Sequence, residues 1–302
     1  MHNLKKIILI GLLSHSCLLA DEVSVTPYMG KIKYDNALSK SLKDDASFLG
    51  LDTSISDNNY VLDIAYHYIN INYKKSLSLG DIRQHNLSMI YTSKYSDYAL
   101  KVGVHYLNSN EPESFRDLGT GYVGIAGIEG YSFFDEDRFT YGTDAYYSVY
   151  PSAHSDLTTA ATLLIDVVQF TPYLEYSAVL SQSLRNDLSV KLNAVLSTQY
   201  KDPAYLSFEV SDTFVYRNFY TIVKVFGGEI KSGVLKGGLE VMNTKDLYTS
   251  SYEGQMGYYL SPTLALDISY TMNNYQEYNA GTLTLSPKGY NSIGRVSLSY
   301  SY

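Results

Sequence analysis

Leu264-Ala265-Leu266-Asp267-Ile268-Ser269-Tyr270-Thr271-Met272-Asn273 is the stretch that decides the fold. Its odd members are polar or small and its even members are apolar: Leu264, Leu266, Ile268, Tyr270 and Met272 against Ala265, Asp267, Ser269, Thr271 and Asn273. On a helix, every second residue points to a different side and no face would form. On a strand, successive side chains take opposite sides, so the same ten residues separate into an apolar face and a polar one.

The pattern recurs along the chain. Tyr60, Leu62, Ile64, Tyr66 and Tyr68 oppose Asp63, Ala65 and His67, and Tyr98, Leu100, Val102, Val104 and Tyr106 oppose Lys101, Gly103 and His105. Residues 188–197 set Leu188, Val190, Leu192 and Leu196 against Ser189, Lys191 and Asn193, and residues 206–216 set Leu206, Phe208 and Val210 against Ser207, Glu209 and Ser211. Weaker copies lie near 23–34, 85–92, 120–129, 139–150, 162–171, 219–227, 236–242 and 252–260. With a last strand at the end, the chain is all-β with about fourteen strands, and twelve also fit the length. Each strand with its connection has about 20 residues, the allotment of a sheet that crosses a bilayer at a tilt. Turn signals such as Asp202-Pro203, Arg217-Asn218 and Ser261-Pro262 are spread evenly without a Pro- or Ser-rich linker, so residues 21–302 read as one domain.

Composition agrees. Tyr occurs 32 times and Phe 10, Trp is absent, Gly reaches 21 and only 18% of residues are charged. Such a mixture favours pleated, half-buried surfaces over helices. The net charge of −8, with Lys74-Lys75 as the one basic pair after residue 6, argues against a nucleic-acid partner. Residues 1–20 read as an export signal: His2, Lys5 and Lys6, then the apolar run Ile7–Leu13, then Leu19-Ala20 before Asp21-Glu22. A rival reading acylates Cys17 after Ser16, although Ser14 stands where such signals carry Leu. Cleavage after Ala20 removes Cys17, the single cysteine, so disulfides, zinc-thiolate sites and Cys nucleophiles are not expected.

Beyond residue 20 no apolar run approaches the ~18 residues of a transmembrane helix. Tyrosines begin or end several apolar faces, at Tyr60 and Tyr68, Tyr98 and Tyr106, and Tyr300 and Tyr302. A ring with an apolar body and a polar tip suits the boundary between hydrocarbon and headgroups. Residues 294–302 place Gly294, Val296, Leu298, Tyr300 and Tyr302 on one face and finish on an aromatic residue. This resembles the final strand of Gram-negative outer-membrane β-barrel proteins. The resemblance is to the porin-like class as a whole. It implies a single antiparallel transmembrane β-barrel of 12 to 14 strands in the outer membrane. Val296, Leu298, Tyr300 and Tyr302 would be the signal read by the barrel assembly machinery, with outer-membrane lipid and lipopolysaccharide as neighbours. A soluble periplasmic β-protein is the competing architecture.

If the Tyr- and Leu-rich phases face lipid, the opposite phases line the lumen: Asp63, His67, Lys101, His105, Asp144, Lys191, Glu209, Lys224, Glu240, Glu253, Asp267 and Arg295. Both signs beside Ser, Thr and Asn suit passage of small hydrophilic solutes. Two alternatives stand: the charges pair across the lumen and fill it, or a closed barrel acts as an adhesin or structural protein through segments 35–59 and 273–289. No enzyme is expected. His154-Ser155 lacks the flanking residues of outer-membrane phospholipases, Asp44-Asp45 reads as a solvated acidic pair, and Gly119–Gly124 lacks nucleotide-fingerprint spacing. Neither a metal nor a cofactor is expected. Because Tyr302 completes the terminal pattern, its deletion should lower the amount of heat-modifiable barrel in outer-membrane fractions while export continues. Undiminished assembly would remove this residue from the signal.

Overall fold

The computed structural model describes residues 22–34, 43–74, 81–109, 119–154, 162–198, 204–230, 234–235, 240–241, 246–276, 278–279, 284–285 and 288–302. The export signal expected at 1–20 lies outside them. Fourteen strands close into one antiparallel barrel. They are β1 (Glu22–Tyr34), β2 (Lys43–Ser56), β3 (Tyr60–Tyr73), β4 (Ile82–Lys94), β5 (Tyr98–Ser109), β6 (Gly121–Phe134), β7 (Asp137–His154), β8 (Thr162–Ser181), β9 (Leu184–Ser197), β10 (Ala204–Tyr216), β11 (Phe219–Ile230), β14 (Leu247–Ser261), β15 (Leu264–Gln276) and β18 (Gly289–Ser301). Two two-residue pairs stand apart from this sheet: β12 (Val234–Leu235) with β13 (Glu240–Val241), and β16 (Tyr278–Asn279) with β17 (Thr284–Leu285).

The seam joins β1 to β18, and the last residue finishes it: Val23 N–H donates to the Tyr302 carbonyl at 2.9 Å and Tyr302 N–H to the Val23 carbonyl at 3.0 Å. Carried strand to strand, the pairing register returns to β1 displaced by about fourteen residues, the shear that a tilted closed sheet requires. With a rise of ~3.3 Å per residue and strands ~4.8 Å apart, that shear sets a tilt of roughly 35° and a backbone diameter of roughly 26 Å.

Connections are short at one end and long at the other. The β6–β7, β8–β9, β10–β11 and β14–β15 hairpins turn in two residues. Asp135 and Arg217, each first in its turn, take positive φ of 54° and 52°, the left-handed geometry that matches strand twist. Arg217 is held there with its guanidinium 5.2 Å from the Tyr216 ring centre. Both termini of the barrel lie at this end, as they do at the short-turn, periplasmic end of bacterial outer-membrane barrels.

Facing follows the alternation. Val102 and Val104 are each 57% exposed, while His105 is 2% exposed and Ala99 is buried on the opposite phase. In a closed barrel the covered phase is the inside, so the exposed phase with Leu87, Met89, Leu192, Leu266, Ile268 and Val296 is the outer belt. Tyr98 and Tyr106 bound that belt on β5, eight residues apart. At the tilt above they stand roughly 22 Å apart along the axis, close to the ~25 Å height of a membrane barrel's apolar band.

Two expected elements differ. Residues 43–56, inside the segment 35–59 first read as polar and exposed, form β2. The stretch 236–242 is not a wall strand, since only Glu240–Val241 pairs there, outside the barrel sheet. The strand total of fourteen therefore survived two errors that offset each other. β2 escaped notice because Phe48-Leu49-Gly50-Leu51 is apolar on both phases: Phe48 and Gly50 are covered, while Leu49 and Leu51 are exposed. Ile268→Arg, on the lipid-facing phase at mid-height, should destabilise the barrel by about 2 to 4 kcal/mol in denaturant titrations in lipid vesicles. Asp267→Asn, on the inner phase, should cost far less. Equal losses would invert or abolish this assignment of faces.

Candidate functional site

Antiparallel pairing places inner-face residues of neighbouring strands on shared rungs, and the lumen is built from those rungs. Lys101 on β5 stands opposite Gly127 on β6, which stands opposite Asp144 on β7. Lys101 Nζ donates to Asp144 Oδ1 and Oδ2 at 3.0 and 2.9 Å, two strands away. This reach exists because the middle residue is glycine. A Cβ on Gly127 would lie 2.2 Å from Asp144 Oδ1.

Two more rungs share the design. Tyr173 Oη on β8 donates to Glu129 Oε2 on β6 at 2.6 Å across Gly142, whose Cβ would strike the Tyr173 ring. On β14, Gly257 separates Tyr220 from Asp267, and a Cβ there would meet both side chains. In each case small size lets two side chains lie flat along the wall.

The remaining ion pairs also follow the wall. Lys191 and Glu209 are direct partners on β9 and β10, 3.6 Å apart, and Lys224 and Glu253 are direct partners on β11 and β14, 3.3 Å apart. Arg295 on β18 lies over the Tyr28 ring at 3.9 Å and ends 3.8 Å from Asp52 on β2. Arg138–Glu175 and Arg185–Asp187 lie nearer the short-turn end. Among the described residues, none of these six pairs crosses the barrel. Most are partly exposed, so each contributes only about 0 to 1 kcal/mol, and their effect is on the shape and charge of the lumen. Asp63, Glu129 and Asp267 are inner carboxylates outside these pairs. Asp267 accepts from Gln255 at 3.4 Å, and Glu129 also accepts from Tyr131 Oη.

The long-connection end has another character. Tyr28, Ile32, Tyr34, Ile71, Tyr73, Ile82 and Tyr275 form one buried inner cluster, and Tyr150, Ile165, Val195, Tyr205, Ile230 and Leu247 form a second. Lys43 Nζ sits 5.5 and 5.9 Å from the Tyr34 and Tyr275 ring centres and is paired with Asp246. Both side chains are covered, so removing one partner would cost about 3 to 5 kcal/mol. The pair ties β2 to the segment entering β14. Beside it, the β13 backbone lies close to β4, on the opposite wall from β11 and β14.

The structure places Asp63, His67, Lys101, His105, Asp144, Lys191, Glu209, Lys224, Glu253, Asp267 and Arg295 on the inner phase. Glu240 is corrected: it belongs to β13, off the wall, because 236–242 is not a wall strand. Asp52, Glu129, Arg138, Glu175 and Asp187 are inner ionisable groups that sequence reading passed over. Glu129 was within reach, because its strand alternates as Val123, Ile125, Gly127 and Glu129. Asp52 was hidden with the rest of β2. Of the segments proposed for adhesion, 43–56 is barrel wall. His154 ends β7, and Ser155 lies outside the described residues.

No protein-family model matches the chain, and no curated protein matches it. Solved structures do match in fold. The chain is similar to the CymD monoaromatic hydrocarbon channel, at 9% identity and a TM-score of 0.54 over 95% of this chain and 90% of that one. Fainter likenesses join it to a Pseudomonas aeruginosa FadL homologue (11% identity, 93% and 89% covered, TM-score 0.48) and to the NanC porin (12%, 91% and 98%, 0.46). At these identities the likeness is one of architecture. This chain has the fold of the Gram-negative outer-membrane β-barrel proteins, in a fourteen-stranded form.

Proposed function

We propose that this protein is an outer-membrane channel for passive diffusion of small hydrophilic solutes. The observation that carries the reading is the lie of the lumen charges: among the described residues the ion pairs run along the wall, and none of them crosses the lumen at mid-height. A backbone diameter of roughly 26 Å, less a side-chain layer of ~5 Å on each side, leaves roughly 16 Å there. Toward the long-connection end the apolar clusters narrow the path, which favours small solutes over large ones. Ser, Asn, Gln and Thr between the pairs are satisfied along the wall, as with Gln169, Thr171 and Asn193 on β8 and β9, which are buried and hydrogen-bond one another.

The three carboxylates outside the pairs, Asp63, Glu129 and Asp267, outnumber the inner cation Lys94 on β4 and support a weak cation preference, screened as salt rises because the Debye length is ~10 Å at 0.1 M. The place of β13 close to β4 favours a second reading, a closed barrel with a structural or adhesive role.

Planar-bilayer recordings of refolded protein separate the two. The channel reading expects discrete current steps and a reversal potential in a salt gradient that indicates mild cation selectivity. Replacing Lys101 and Lys191 with Glu should strengthen that selectivity. Well-folded protein without steps would overturn the channel and favour the closed barrel. Gly127→Val supplies a second check. The added side chain would push Lys101 and Asp144 off the wall, so it should cost about 1 to 3 kcal/mol in stability and reduce single-channel conductance. Unchanged conductance in folded variant protein would mean that this rung does not border the conducting path.

A further inference from the structure

The outer wall is not uniform in charge. At its long-connection end, the described residues of β5 to β11 expose no Lys or Arg outward, and Asp166 and Glu229 are the ionised groups there. On β1 to β4 three cations, Lys31, Lys33 and Arg83, are exposed on the outward phase, beside the exposed carboxylates Asp44 and Asp45.

Register arranges these cations. Lys31 pairs with Ser47, Ser47 with Asn70 and Asn70 with Arg83, so one outward rung reads Lys-Ser-Asn-Arg across four strands. Three inter-strand steps of ~4.8 Å separate its two cations by roughly 14 Å at the backbone. One rung further out, Lys33 pairs with Asp45 and Asp45 with Asn72. Amides hold that carboxylate: Asn72 Nδ2 donates to Asp45 Oδ1 at 2.6 Å, and Asn70 Nδ2 donates to Asn72 Oδ1 at 2.7 Å.

An aromatic row directly beneath fixes the depth. Tyr68 pairs with His85 on the next rung inward, the two rings 4.9 Å apart, and Tyr66 Oη lies 2.8 Å from His85 Nδ1. Below them come Leu87 and Met89, both exposed. Interfacial rings mark the top of the hydrocarbon, and an outward Ser-Asn-Arg rung facing acyl chains would be costly. At the ~35° tilt this rung climbs roughly 8 Å from Lys31 to Arg83, so Lys31 stands level with the Tyr68 ring at the interface, and Lys33 and Arg83 stand above it at headgroup height, on the side of the long connections.

We propose that this rung, with Lys33 above Lys31, binds the phosphate groups of an outer-leaflet glycolipid, specifying which sector of the barrel meets lipopolysaccharide. Two cations far enough apart to engage separate phosphates, with a hydroxyl and an amide between them, suit a bisphosphorylated sugar headgroup whose acyl chains would run down over Leu87 and Met89. The proposal rests on the outer-membrane placement of the reading above but not on an open lumen.

Refolded protein in detergent, titrated with bisphosphorylated lipid A and followed by native mass spectrometry, tests it. A cation beside an anionic lipid surface adds roughly fivefold in affinity, so the combined Lys31→Gln, Lys33→Gln and Arg83→Gln variant should lose on the order of one hundred-fold. Asp45→Asn should bind as well as wild type or more tightly. Dephosphorylated lipid A should bind wild type no better than it binds the triple variant, and excess inorganic phosphate should not displace the intact lipid. Equal binding by the triple variant, once its gel shift shows it folded, would overturn the site. Equal wild-type affinity for dephosphorylated lipid would reduce it to acyl contact, and displacement by free phosphate would make it a soluble-anion site. Both overturn the proposal. Should the triple variant fail to fold, Lys31→Gln and Arg83→Gln singly should each lose about fivefold, and no loss in either would count against it equally. Conductance separates this site from the channel: lipid binding lost with currents intact supports the proposal, while lipid binding intact in protein without currents strikes the channel reading alone.

Discussion

In hydrocarbon no water is available to pair a backbone N–H or C=O, and each unpaired group costs several kcal/mol. Everything in this fold follows from meeting that constraint with strands. Fourteen of them close on themselves, and the last bond of the seam is made by the terminal residue, Tyr302 with Val23. Closure fixes the shear, shear fixes the tilt, and tilt with strand number fixes the diameter. The wall then has two faces with unlike solvents, and alternate residues must suit each.

The inner face meets a second constraint, how to hold charge inside a closed wall. Long ionic side chains would meet across a narrow lumen if they pointed inward. Here they are turned along the wall, and glycine makes the turn possible where the partners are two strands apart, as at Gly127 between Lys101 and Asp144. Glycine weakens a strand through lost packing and higher chain entropy. That cost falls at mid-wall, where hydrogen-bonded neighbours on both sides hold the backbone. At the long-connection end the same face turns apolar and aromatic, and there the Lys43–Asp246 pair is covered rather than wet.

Sequence revealed much of this because a wall strand between lipid and water must alternate. Residues 264–273, 60–69 and 98–107 could be assigned to faces without any structure, and the inner-phase charges came with them. It failed where the two faces stop differing. Phe48-Leu49-Gly50-Leu51 borders apolar side chains within as well as lipid without, so β2 showed no period, and Leu164-Ile165 on β8 is blurred in the same way, one exposed and one in an inner apolar cluster. The stretch 236–242 failed in the opposite sense, because its composition mimics a strand that finds no neighbour in the wall. Pairings across two strands, such as Lys101 with Asp144, were beyond reach because they depend on register, which no single strand encodes.

The account stands on two faces in two solvents. A nitroxide scan through residues 264–273 in reconstituted vesicles tests that most directly, with oxygen as the lipid-soluble relaxant and a nickel chelate as the aqueous one. Labels at Leu266, Ile268 and Tyr270 should respond to oxygen, and labels at Ala265, Ser269 and Thr271 to the chelate, with a period of two and opposite phase. Labels on the second set that respond to neither would reveal a dry, filled interior, and a scan without alternation would contradict the barrel in its membrane.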